Sequence, residues 1–242
     1  MLSKKEIKDI QSLSHKKFRD ALNLFVVEGP KIVHELIQLI PQQIERIYAV
    51  KEWKSANESL LQKVNVTVVE DLELERLSQL QTPNLVIAVV KKLPSVKPDA
   101  TSFLLYLDTI QDPGNFGTII RIADWFGIKS IVCTNGCADL YNSKVVQSTM
   151  ASIARVNVYY DEKEEWLKEQ KVAVFAATLH GKPLYEQRKT ESGILIIGNE
   201  SKGIREEILQ YATEQITIPK RGEAESLNAA VATGIILSHL LQ

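Results

Sequence analysis

Residues 103–127 read FLLYLDTIQDPGNFGTIIRIADWFG. The run Phe103–Leu107 is unbroken apolar and aromatic, the pattern of a strand buried on both faces. A polar, proline-bearing loop follows over residues 108–114. Asn115 then suits a helix N-cap, and Phe116, Ile119, Ile120, Ala123 and Phe126 recur at helical spacing. Gly127 ends that helix. Strand, polar loop and helix in that order form the repeating unit of a parallel sheet covered by helices.

The same alternation continues downstream. Strands are predicted at 130–133, 172–177, 194–198 and 215–218, and an apolar helix at 226–241 with Ser226 as its cap. Ligands of such sheets bind beyond the carboxyl ends of the strands. Three loops therefore stand out, at 108–115, 198–203 and 219–226. Upstream, KKLPSVKPDA at 91–100 carries two prolines and three lysines and reads as a linker. Before it lies a smaller α/β pattern. It has strands at 24–28, 47–50, 64–69 and 85–90, a helix opening at Pro30 and ending near residue 39, and a short helix at 72–80. The expected division is 1–95 and 96–242.

The composition bounds the class. With 242 residues, 45% hydrophobic and 24% charged, the chain is neither disordered nor collagen-like. Two cysteines cannot form a disulfide framework. No apolar run approaches the ~18–20 residues of a membrane span, and residues 1–20 lack a signal-peptide core. A cytoplasmic location is the expectation. The net charge of −1 hides a basic leading segment, with Lys4, Lys5, Lys8, Lys16, Lys17 and Arg19 all before residue 20. Such a segment suits phosphate contacts or a solvated helix face.

Familiar nucleotide motifs are missing. Gly114-Asn-Phe-Gly117 is not G-x-G-x-x-G, and no P-loop signature occurs. Cys133 and Cys137 lack the further ligands of a zinc site and read as free thiols, the four histidines are scattered, and no G-x-S-x-G elbow exists. No metal is expected. What remains is a triplet. Asn115, Gly117 and Arg121 follow the first loop, the latter two on one helix face. Glu200 lies between Gly198 and Gly203 after an apolar strand. Ile218-Pro219 precedes Ser226-Leu227-Asn228 at the last helix. Taken singly, each reads as an exposed arginine, a turn glutamate and an N-cap serine. Asn228 enters an apolar helix, where a buried amide needs partners.

Together these segments resemble the SpoU (TrmH-like) RNA 2′-O-ribose methyltransferases of the SPOUT superfamily. Asn115-x-Gly117-x-x-x-Arg121, Gly198-x-Glu200-x-x-Gly203 and Ile218-Pro219 with Ser226-Leu227-Asn228 follow the three family motifs in order. Residues 20–95 resemble, more loosely, the substrate-binding domain that precedes the catalytic domain in many members. The resemblance implies an α/β-knot fold, with the chain near 195–228 threading a trefoil, and a homodimer. It implies S-adenosylmethionine as cofactor, met by Thr178, Gly198, Ile218 and Leu227. It implies methyl transfer to a ribose 2′-hydroxyl, with Arg121, Asn115, Glu200, Ser226 and Asn228 as the catalytic group. Guanidinium is normally always protonated, so Arg121 suits a mixed role of binding the target phosphate and lowering the hydroxyl's barrier by charge. Lys16, Lys17, Arg19 and Arg155 are the expected RNA contacts. Ribosomal RNA of the large subunit is favoured over tRNA as substrate. The alternatives are tRNA methylation, methylation of a base, and an RNA-binding protein of the same fold without catalysis. The chain departs from the pattern at Ser201 and near Ala151, where glycine is common, and at Lys220, which replaces a commonly apolar residue.

Overall fold

The computed structural model of the chain describes residues 2–241. Helices and strands follow one another as α1 (Lys4–Ser12), α2 (Lys16–Leu22), β1 (Leu24–Glu28), α3 (Pro30–Leu39), β2 (Ile44–Ala49), α4 (Lys51–Ala56), β3 (Val66–Val68), α5 (Asp71–Leu77) and β4 (Val86–Lys91). They continue as β5 (Phe103–Leu107), α6 (Pro113–Trp125), β6 (Ser130–Cys133), α7 (Ser143–Thr149), β7 (Asn157–Tyr160), β8 (Val174–Pro183), β9 (Gly193–Ile197), α8 (Glu206–Leu209), β10 (Glu214–Thr217) and α9 (Ala229–Leu241). The chain divides into two compact units, with a break between Pro94 and Ser95. Residues Tyr141–Ala154, which hold α7, pack with the first unit, although the sequence pattern groups them with residues 96–242.

In the first unit the sheet order is β1-β4-β2-β3. β4 is antiparallel to both β1 and β2, and β3 runs parallel to β2. Phe25, Val27, Ile47, Ile87 and Val90 are buried along it, with Val33 and Leu36 from α3 against them. Pro30 occupies the first turn of α3, where its missing N–H has no intrahelical acceptor to lose. Gly29 before it has φ +97°, which favours glycine. α7 is fastened to this sheet. Gln147 Nε2 donates to the Glu28 carbonyl (2.9 Å), and the Tyr141 ring lies 4.7 Å from that of Phe25.

In the second unit six strands pair in the order β10-β8-β9-β5-β6-β7, all parallel. β5 and β9 are buried along their whole lengths, as unbroken apolar runs in a covered parallel sheet should be. Tyr106 stacks on Trp166 in a core that includes Leu104, Ile194 and Ile196. The chain runs outward through β6 and β7, then returns so that β9 lies on the other side of β5. Ligands of such sheets bind where the chain reverses in this way, here beyond the carboxyl ends of β5 and β9. The loops at 108–112 and 198–205 start there.

β8 is longer than the apolar run at 172–177 suggests. Gln215 of β10 pairs with Ala176, but Ile216 pairs with Lys182, so residues 177–181 leave the ladder as an excursion. Gly181 closes it, because a Cβ there would lie 2.4 Å from the Gln215 carbonyl carbon.

Candidate active site

Asp112, not Asn115, caps α6. Its carboxylate accepts the Asn115 N–H (2.8 Å), and Pro113 takes the first helical position. This corrects the expectation drawn from sequence and has a consequence for the site. Relieved of capping, the Asn115 side chain reaches outward. Its Nδ2 donates to Glu200 Oε1 (2.6 Å), and its Oδ1 accepts from Asn228 Nδ2 (2.8 Å).

Asn228 also differs from expectation. It is exposed rather than buried, and it, not Ser226, caps the last helix, which begins at Ala229. Its Oδ1 accepts the N–H groups of Ala230 and Val231 (3.0 and 3.2 Å). The reason is economy of groups: one amide serves the helix with its oxygen and Asn115 with its nitrogen. The resulting chain runs in one direction. Helix N–H groups donate to Asn228, Asn228 donates to Asn115, and Asn115 donates to Glu200. With N–H donors at one end and a carboxylate at the other, both amide orientations are forced, and each bond polarises the next.

Glu200 rides on a closed loop. Asn199 N–H donates to the Gly203 carbonyl and Gly203 N–H to the Asn199 carbonyl (3.0 and 2.8 Å). Asn199 Oδ1 accepts the N–H groups of Ser201 and Lys202, and its Nδ2 donates to the Thr109 carbonyl (2.9 Å). Gly203 has φ +71°. Gly198 is required for packing, since a Cβ there would sit 2.4–2.5 Å from the main chain of Gly203 and Ile204. Asn199 escaped the sequence reading; an asparagine two residues before a turn is the local signal that finds it.

A second group, also missed, lies behind the loop. Asp108, fully buried at the end of β5, accepts hydrogen bonds from the Arg205 main-chain N–H (2.8 Å) and Nε (2.8 Å), and forms an ion pair with Nη2 (2.7 Å). Arg205 Nη2 also meets Glu164 Oε1 (2.8 Å). The two carboxylates push the Arg205 guanidinium further above its usual range. Removing water from Asp108 is costly unless it is paired, and here the pairing anchors the downstream leg of the Glu200 loop to β5.

Arg121 projects from α6, exposed, with no hydrogen bond or ion pair among the described residues. Gly117, one turn earlier, is buried. Ser226 is exposed in an irregular segment, and no hydrogen bond joins it to the Glu200 chain among the described residues. Thr178, Gly198 and Ile218 stand at or just past the carboxyl halves of β8, β9 and β10, three strands adjacent in the sheet. Thr178 Oγ1 is buried with no hydrogen-bond partner. Leu227 is exposed on the approach to α9.

The basic residues divide. Lys16 is exposed and pairs with Asp20 (3.3 Å), and Lys17 is exposed. Arg19 is only 4% exposed and donates to the carbonyls of Leu13 and Ser14 (2.9 and 2.8 Å), closing the turn between α1 and α2. A guanidinium so enclosed belongs to the fold, which corrects its placement among surface RNA contacts. Arg155 Nε is held by Asp124 of α6 (2.8 Å). Both cysteines are free thiols, and no group of three His, Cys, Asp or Glu side chains is placed to hold a metal among the described residues. No helix among them is long and apolar enough to cross a membrane.

Residues 102–238 match the SpoU rRNA Methylase family, and residues 4–88 match the MRM3-like substrate binding domain. The chain is 33% identical over 243 residues to the 23S rRNA (guanosine(2553)-2′-O)-methyltransferase RlmP of Bacillus subtilis, covering 97% of this chain and 95% of that one. A TrmH-family protein from Porphyromonas gingivalis superimposes with a TM-score of 0.89 at 34% identity, covering 100% of this chain and 98% of that one. An AdoMet-bound rRNA methyltransferase from Sinorhizobium meliloti superimposes with a TM-score of 0.86 at 28% identity, covering 99% and 95%. With the three sequence motifs joined by hydrogen bonds at the sheet's carboxyl edge, the chain belongs to the SpoU rRNA methylase family.

Proposed function

We propose that this protein transfers the methyl group of S-adenosylmethionine to a ribose 2′-hydroxyl of large-subunit ribosomal RNA. The observation that carries the reading is the Glu200–Asn115–Asn228 chain, which unites residues 85 and 113 positions apart through Asn115, on the helix that also carries the exposed Arg121. The family and the named specificity of the Bacillus subtilis relative supply the reaction class and RNA type.

The residues present fit the cofactor. Thr178 Oγ1 is an orphaned buried hydroxyl, and Gly198 lacks room for any side chain. Thr178, Gly198, Ile218 and Leu227 would hold S-adenosylmethionine, which supplies an electrophilic methyl group when bound. A ribose hydroxyl is a weak nucleophile at neutral pH, so the protein must position it and ease loss of its proton. Arg121 supplies a fixed positive charge that binds the target phosphate and stabilises the developing alkoxide. The Asn115 relay holds Glu200 and the start of α9 in register around it. Ser226, exposed just before α9, would meet the nucleotide.

The threaded chain between 195 and 228 is part of the same reading and rests on the family alone. Trp125 (82% exposed) on α6 and Val231 and Ile235 on α9 form apolar surface on two helices that pack together, which supports a homodimer through this face. The first unit with Lys16 and Lys17 serves as the RNA-binding domain, and a cytoplasmic location is in keeping with ribosomal RNA as substrate. The test is transfer from labelled S-adenosylmethionine into unmodified large-subunit rRNA, followed by digestion to nucleosides. Label in a 2′-O-methylnucleoside is expected. Label on a base would replace this reading with base methylation, and cofactor binding without transfer to any RNA would replace it with a non-catalytic role.

A further inference from the structure

The first unit carries a cleft of about 580 Å³ that the methyl-transfer site does not use. One wall is Gln79, Leu80 and Gln81, in the loop after α5. The other is Lys144, Gln147 and Ser148 on α7. Those three are spaced i, i+3 and i, i+4, so they share one helix face. Both walls hang from the same residue. The Glu28 side chain, 3% exposed at the end of β1, accepts the Ser78 hydroxyl and the Gln79 N–H (2.7 Å). The Glu28 carbonyl accepts Gln147 Nε2 (2.9 Å). A cleft whose two sides are pinned to one buried carboxylate residue is preformed.

Its lining has a consistent chemistry. It contains three primary amides, two hydroxyls (Ser143 and Ser148), an ammonium and one apolar side chain, and no carboxylate. Glutamine amides present a donor and an acceptor side by side, which matches the paired groups on a base edge. Leu80 offers a face for a base to lie on, and Lys144 a charge for its phosphate. Gln79 Nε2 is shielded and meets no acceptor, a buried donor that still lacks a partner. The volume lies within the usual range for a bound small molecule of ~300–1,000 Å³.

We infer that this cleft seats one unstacked nucleotide of the RNA substrate, in addition to the nucleotide that is methylated. The inference rests on the RNA-methyltransferase reading and deepens it. One wall comes from the substrate-binding match at 4–88 and the other from the methylase match at 102–238, so a seated nucleotide touches both parts of the sequence. α7 is itself the connection between β6 and β7.

The test uses the full chain and an unmodified large-subunit rRNA transcript. The variant Gln81→Ala/Lys144→Ala alters two exposed side chains. The expected result is a loss in RNA affinity of about 10- to 100-fold. The slope of log affinity against log salt should also fall by about one. S-adenosylmethionine affinity and melting temperature should match the parent chain. Lys144→Gln, which removes charge but keeps a donor, should change the salt slope and lose less affinity than the double variant. Unaltered RNA affinity in the double variant would overturn the cleft while leaving the methyltransferase reading intact. Failure of the parent chain to bind any rRNA would overturn both.

Discussion

Arg205 and Arg121 belong to the same unit, and the fold treats them in opposite ways. Arg205 directs its main-chain N–H, Nε and Nη2 at the buried Asp108, and Nη2 also reaches Glu164. Arg121 is exposed and meets no partner among the described residues. The difference separates architecture from chemistry. A charge already satisfied inside the protein holds a loop in place, whereas one left exposed on a helix has its interaction still to make. The same contrast recurs between Arg19, enclosed by carbonyls, and exposed Lys17, and between Thr134, whose hydroxyl accepts the Thr109 N–H, and Thr178, whose buried hydroxyl meets nothing.

If Arg205 is architecture, Arg205→Ala strands the Asp108 carboxylate in the core and lowers stability by about 3–5 kcal/mol in chemical denaturation. Adding Asp108→Asn should recover part of that loss; a double variant no better than the single would mean that the pair is not the cause. Asn228→Ala removes the cap of α9, at about 1 kcal/mol, and also the donor to Asn115. Asn228→Asp keeps the cap but cannot donate. It should regain the stability and not the methylation rate, and recovery of both would show that the link to Asn115 is incidental.

Thr178→Val should move two readouts in opposite directions. Losing an unpartnered buried hydroxyl stabilises the free protein by about 1 kcal/mol, while S-adenosylmethionine binds about five- to tenfold more weakly. Unchanged cofactor affinity would place Thr178 with the architectural residues. The smallest effect is expected at Glu28. Burial holds its carboxyl above the usual 4.5, against the opposing pull of hydrogen bonds from Ser78 and Gln79. The folded chain therefore binds this proton more tightly than the unfolded one, and stability from this group falls as pH rises through that window. Glu28→Gln should flatten the fall in melting temperature as pH rises above the ordinary carboxylate range, and a slope as steep as the parent's would contradict it.

Much of this comparison could be read in the amino acids, and the unread part has a common cause. The strands at 24–28, 103–107 and 130–133 and the helix opening at Pro30 coincide with the structure because apolar runs, proline and glycine act locally. Glu200, Asn115 and Asn228 were singled out by motif. Their mutual bonds span 85 and 113 residues, and no local pattern reports those. Both cap assignments slipped because Asp112 and Asn228 are as able to cap as Asn115 and Ser226, and tertiary partners decided between them. Asp108 looked like an ordinary loop residue until Arg205, 97 positions away, was seen against it. Arg19 reads as surface charge, because enclosure by main-chain carbonyls leaves no mark on composition.

The most direct test is the single-turnover rate of methyl transfer by Arg121→Ala, with RNA and S-adenosylmethionine both saturating. An open arginine that binds the target phosphate and also stabilises charge at the reacting hydroxyl predicts a rate lowered by about 10²–10³ at saturating RNA, with a smaller loss of RNA affinity and folding retained. A rate equal to the parent's, with the loss confined to RNA affinity, would contradict it and make Arg121 a phosphate anchor alone.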